Sequence, residues 1–406
     1  MDGGLPPGFG RYPLPLALAI LLVQAALGIL LFATFQEWVP RRLGASDAWG
    51  GYLLASYGAA RFLLETPTGA IADRLERRAG LLLGFLLMFP SIGLMAAVRQ
   101  EHAYLVFAAL LGAATAFLWP ATYAIAADLY PIDRRGKVIG FLNLAQLGGF
   151  GLGALGGAFL VDHAPAGALF GSAAGAVALA FAAVLLGIPS YRGGSLFRRV
   201  DAPGRPSLRS VLDRRVAALA ALILLASIAL AMLVPAIRPY GERVIGISFS
   251  RLTIALIPAV AVGALLYIPA GDLADRFGRW KPFAAGQLCL VAGLLVLAAT
   301  ASLPVAMAAA TLVVAGNVLT VPAWNAAVMD LAPESHRGTL IGLSVALSGL
   351  ALALGPALGG FVVGRWGAPA AFTVSAALAA AAAALTLAYA RRTAGATGTR
   401  SPVRRS

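Results

Sequence analysis

The chain has 406 residues, of which 60% are apolar and only 12% charged, and its mean hydropathy is +0.85. Soluble domains carry about 25% charged residues, so there is too little polar surface here for a large water-soluble enzyme. The formal charge of +14 would suggest nucleic acid in a soluble protein. In so apolar a chain it is tested first against membrane sidedness.

A span of a ~30 Å hydrocarbon core needs about 20 apolar residues. Windows of that kind fall at 14–35, 49–71, 80–98, 103–127, 138–160, 167–189, 216–237, 251–271, 282–302, 304–329, 338–363 and 369–390. Each predicts a transmembrane helix. The first is too long for the apolar region of a secretory signal and has no cleavage pattern after it, so it is expected to remain as a span. With the N-terminus in the cytoplasm, 23 of the 31 basic residues fall on the cytoplasmic side, from Arg11 through the loops to Arg405. Arg41, Arg42, Arg99, Arg238, Arg243, Arg251 and Arg365 fall opposite, and Arg61 lies within a span. That asymmetry predicts an even number of spans with both termini cytoplasmic, and it makes a nucleic-acid partner unnecessary.

The expected organisation is a six-helix bundle at 1–189, a cytoplasmic loop at 190–215, a second six-helix bundle at 216–390 and a basic tail at 391–406. Gly193, Gly194, Pro203, Gly204 and Pro206 break any long helix in the central loop. Cys289 stands alone, and His102, His163 and His336 fall between apolar runs. This excludes a disulfide framework and offers no metal spacing. The run Gly151-Leu152-Gly153-Ala154-Leu155-Gly156 satisfies a dinucleotide pattern, but it has no preceding strand and lies inside a span. No cofactor is expected. Gly149, Gly153 and Gly157, and Gly355 with Gly359, are read instead as small-residue packing stripes.

The chain repeats itself at an offset of 202 residues. Gly69-Ala70-Ile71-Ala72-Asp73-Arg74 answers to Gly271-Asp272-Leu273-Ala274-Asp275-Arg276, and Asp128-Leu129-Tyr130-Pro131 to Asp330-Leu331-Ala332-Pro333. Pro67 with Pro269, and Pro120 with Pro322, keep the same shift. A six-span unit is therefore present twice, which implies two pseudo-symmetric bundles related by an axis along the membrane normal.

With these loops the chain resembles the major facilitator superfamily, whose signature between spans two and three is G-x-L-a-D-R-x-G-R-[RK]. The copy at Gly271–Lys281 meets it nearly in full; the copy at Gly69 has Glu76 where glycine is usual. The fold implied is all-α and integral to the membrane, with twelve transmembrane helices. The resemblance also implies that Asp73, Arg77 and Asp128, with Asp275, Arg279 and Asp330 in the second half, form cytoplasmic charge clusters that gate the transporter. Spans one, four, seven and ten would line a central cavity, which gives Gln24, Tyr123, Asn317 and Asn325 to it. The drug/proton antiporter branch carries G-x-x-x-G-P-x-x-G-G in span five and an arginine in span four. Here Ala154 replaces that proline, and Ala108, Leu111 and Gly112 occupy the span-four positions, so only the glycine remains.

Span two carries Arg61 and Glu65, four residues apart and so on one helical face. Counted from Asp73 at 1.5 Å per residue, they lie about 18 and 12 Å into the span, bracketing the midplane. Charges at that depth are functional candidates by default. Tyr57 and Thr68 extend the stripe. At the offset of 202 their place is taken by Gly263 and Tyr267, so the pair is not demanded by the shared architecture. Asn143, Gln146 and Trp324 complete the polar candidates, while Glu37 is expected at the outer membrane interface. The function expected is secondary transport of a small-molecule solute by alternating access, with proton-coupled efflux of amphipathic compounds leading. A proton-coupled importer of an anionic metabolite held by Arg61, or a membrane sensor, are the alternatives. Glu65 is the expected proton carrier, and a monomer in the plasma membrane (the bacterial inner membrane) the expected form.

Overall fold

The computed structural model describes residues 13–74, 77–129, 132–188, 190, 214–278, 280–331 and 337–397. Among these residues there is no strand. An apolar segment in lipid has no water for its N–H and C=O groups and must pair them within itself, which a helix does. The helices are α1 (13–43), α2 (Ala48–Arg74), α3 (Arg77–Ala97), α4 (103–129), α5 (Ile132–His163) and α6 (Ala166–Gly187). After the central loop come α7 (214–245), α8 (249–277), α9 (Trp280–Ala299), α10 (Leu303–Leu331), α11 (Arg337–Trp366) and α12 (Ala368–Thr397). Eleven of them are long and apolar enough to cross a membrane. The twelfth, α2, has 27 residues, and its Arg61 and Glu65 lower its hydropathy. The chain divides into two compact units, Met1–Gly204 and Arg205–Ser406.

Within the first unit α1 packs along α5 and α6, α2 along α4, and α3 along α4 and α6. Within the second, α7 packs along α11 and α12, α8 along α10, and α9 along α10 and α12. Each pair of the first unit recurs in the second at helix number plus six, so the sequence repeat is a repeat of packing.

Individual side chains repeat with it. Trp38 meets Phe170 edge-on at 5.2 Å, and Tyr240 meets Phe372 edge-on at 4.9 Å; both partners are shifted by 202. The first helix of each unit ends on a left-handed glycine, Gly44 with φ 70° and Gly246 with φ 79°, a backbone that a Cβ would strain. The glycine stripes are packing surfaces as expected. A Cβ at Gly149 or Gly153 would overlap the Leu21 or Ala25 carbonyl of α1, and one at Gly359 the Met232 carbonyl of α7. Close approach of backbones is what small residues supply in membranes, where water does not drive helices together.

Among the described residues, two segments are wound more loosely than an α-helix. Gly28–Trp38 in α1 and Tyr240–Ile245 in α7 are wound as π-helix. Every residue of the first of these is buried. Gly278, the glycine of the complete signature copy, turns the chain with φ 81°; Glu76, its counterpart, lies outside the described residues.

Candidate functional site

The polar centre of the first unit is built on the α2–α4 pair. Gly112 of α4 lies so close to α2 that a Cβ there would overlap the Tyr57 carbonyl. This approach lets short polar side chains bond across the seam. Ser56 donates to the Leu105 carbonyl at 2.7 Å and Thr68 to the Ala116 carbonyl at 2.9 Å. Between them the Tyr57 and Thr115 hydroxyls stand 3.1 Å apart. Thr115 lies 3.0 Å from its own Gly112 carbonyl. Thr115 Oγ1 is the donor towards the Tyr57 hydroxyl oxygen, and Tyr57 in turn acts on the Arg61 guanidinium.

Arg61 Nη2 stands 3.6 Å from Glu65 Oε1, with the side chains 24% and 20% exposed. This is an ion pair at contact distance, set one helical turn apart and partly withdrawn from surrounding solvent space. Tyr57, Arg61 and Glu65 thus form one stripe on α2, held in register by Ser56 and Thr68 above and below. The arrangement offers a cation and a carboxylate that can exchange partners with a solute or a proton.

The second unit inverts the seam. Gly263, the counterpart of Arg61, now supplies the close approach, and a Cβ there would press to 2.5 Å from Val314 Cγ1. Val314 is the counterpart of Gly112. The glycine has changed helices, and no charge occupies the position.

The other candidates are dispersed. Gln24 is buried on α1 in a crevice of about 10 Å³ beside Trp119 and Thr122, room for about one water. On α5, Asn143 is exposed and Gln146 half-buried; α5 packs along α1, not along the α2 that carries the ion pair. Asn317 is half-buried on α10. The side chains of Tyr123, Trp324, Asn325, Asp73, Arg77, Asp128, Asp275 and Asp330, and the whole of Arg279, lie outside the described residues.

Glu37, near the end of α1, is 1% exposed and buried against protein within the π-helical segment. Arg41 Nη1 reaches Glu37 Oε1 at 3.2 Å and Asp162 Oδ1 at 2.7 Å, which ties α1 to the end of α5. Thr115, Gly112 and Asp162 escaped sequence reasoning. Only Gly112 carried a signal, as the surviving glycine of a span-four pattern.

A family profile described as Major Facilitator Superfamily matches residues 16–343 and 253–405. The chain belongs to this superfamily. The transporter is 25% identical over 399 residues to human solute carrier family 67 member A1, covering 91% of each chain. It is 26% identical over 279 residues to multidrug resistance protein 1 of Bacillus subtilis, covering 65% of this chain and 68% of the relative. In fold it is similar to a bacterial homologue of the human lysosomal transporter Spinster, with TM-score 0.75, 18% identity, and 96% and 98% of the two chains covered.

Proposed function

We propose that this transporter exports amphipathic, drug-like compounds by alternating access, driven by protons entering through Glu65. The observation that carries the reading is the Arg61–Glu65 pair at 3.6 Å, a charge couple deep in a span of one half and missing from its counterpart Gly263 and Tyr267. Membrane charges at such depth cost several kcal/mol and persist where they are used. When Arg61 turns to another partner, the Glu65 carboxylate loses its counter-ion within the span, which is costly. Similarity to multidrug resistance protein 1 of Bacillus subtilis supports the export direction.

The excess of basic residues on one side supports a reading with both termini in the cytoplasm of a plasma membrane, bundles at 1–189 and 216–390 flanking the loop 190–215, and a tail at 391–406. Asp73, Arg77, Asp128, Asp275, Arg279 and Asp330 are the proposed cytoplasmic gate. Gln24, Tyr57, Tyr123, Asn143, Gln146, Asn317, Trp324 and Asn325 are the proposed polar contacts of the solute, and the working form is a monomer.

The test is uptake of a lipophilic cation by inside-out proteoliposomes under an imposed pH gradient. Glu65→Gln is expected to abolish gradient-driven flux while leaving solute exchange at equal pH. Undiminished flux would sink the reading. The half-buried guanidinium favours a second reading, import of an organic anion held by Arg61. In that case uptake runs into right-side-out vesicles and is lost in Arg61→Gln.

A further inference from the structure

The second unit holds an open-sided apolar recess of about 200 Å³ lined by α7, α8 and α10, with Leu297 of α9 and Phe372 of α12 also on its wall. Its lining is carbon almost throughout. The one phenol, Tyr240, donates its hydroxyl to the Thr300 carbonyl at 2.9 Å and presents only its ring. A buried water needs two to four polar partners, and apolar cavities of about 150 Å³ stay dry and accept benzene or xenon. This space therefore has no use for water.

The internal repeat shows why it exists. The counterparts of Ala255, Ala259 and Ala306 in the first unit are Leu53, Tyr57 and Tyr104, and all three are fully buried. The same place in the first unit is thus filled by one leucine and two tyrosines. Three alanines empty it in the second, while the edge-on Tyr240–Phe372 pair is kept at one wall. Val260 on its rim is 49% exposed, so the space is a recess open on one side, and it falls where the first unit is filled by large side chains. Its aromatic wall suits a ring, since offset and edge-on ring contacts at 4.5–7 Å are the favoured ones.

We propose that this cavity is a binding site for an uncharged aromatic group of one or two rings, carried by the exported solute. It rests on the export reading for its occupant, though not for its existence. Met307 lines the cavity and is a reporter.

The probe is naphthalene, added to the purified full-length transporter in nanodiscs with 13C-methyl methionine, the Met307 signal being assigned by Met307→Leu. Naphthalene is expected to give a saturable ring-current shift of Met307 that Ala306→Phe removes; Ala259→Leu is the second filling variant should the first not fold. In proteoliposomes the filling variants are expected to raise KM for aryl-bearing cations about tenfold or more, the scale of apolar pocket contacts, with small alkyl cations unaffected. A Met307 shift in a transporter that moves no lipophilic cation would refute the export reading and leave the cavity site standing. Export with a Met307 signal insensitive to naphthalene, or responsive only to the lipid acyl chains of the disc, would overturn the site.

Discussion

Removing Glu65 and Arg61 singly and together measures whether the intramembrane pair is a true couple. At 3.6 Å, Coulomb's law gives about 5 kcal/mol at an effective dielectric near 20 and about 1 kcal/mol in water. The side chains are 24% and 20% exposed, so neither limit applies, and the distance is longer than a charge-assisted hydrogen bond of 2.7–2.9 Å. A coupling of about 2 kcal/mol is expected. Arg61→Ala, Glu65→Ala and the double variant are unfolded in detergent with increasing denaturant, and the coupling is the part of the double change that the singles do not explain. Each single variant also strands a charge, so both should destabilise more than the double. If the single effects add to within about 0.5 kcal/mol, the two charges do not sense each other and the proton-carrier reading loses its basis.

Two further outcomes follow from packing. Gly153→Ala meets the Ala25 backbone carbonyl, which cannot move aside, whereas at Gly355 the nearest obstacle is the Ala231 methyl at 2.6 Å, with the Ile228 carbonyl at 3.1 Å. Overpacking costs about 1–3 kcal/mol, and the melting temperature should fall further for Gly153→Ala than for Gly355→Ala; an equal fall would contradict the stripe geometry. Gln287 is buried on α9 with its Nε2 at 3.2 Å from Thr320 Oγ1 and its Oε1 unpartnered among the described residues. Thr320 keeps its bond to the Gly316 carbonyl at 2.9 Å, so Gln287→Met leaves no orphaned group. The change should be neutral or stabilising by thermal denaturation; a loss above about 1 kcal/mol would refute it.

Much of the architecture is written in local pattern. Apolar runs, the 202-residue offset and the glycine stripes depend on residue type and spacing alone, and the helices, the matching packing pairs and the α1–α5 contact follow from them. The stripe of Tyr57, Arg61 and Glu65 was equally legible, because four-residue spacing on a helix needs no tertiary knowledge. What the sequence did not disclose depends on partners remote in the chain. The burial of Glu37 and the Arg41–Asp162 pair arise only once α1 and α5 are packed. The π-helical winding of Gly28–Trp38 has no residue signature. The cavity needed comparison of the units, since Ala255, Ala259 and Ala306 are unremarkable in an alanine-rich chain until set against Leu53, Tyr57 and Tyr104.

The glycine that changes helices between the units has a consequence for how a duplicated protein divides its labour. Each α2–α4 type seam must surrender one side chain to let two backbones touch. In the first unit α4 makes the surrender at Gly112, so α2 is free to bear a long, charged residue at Arg61. In the second unit α8 makes it at Gly263, where an added Cβ would press on Val314 Cγ1 at 2.5 Å. The half whose α4-type helix gives way is the half that carries the membrane charge. Transferring the pair to the second unit would require Gly263→Arg and Tyr267→Glu together with Val314→Gly, since the two charges need the space that Val314 now fills.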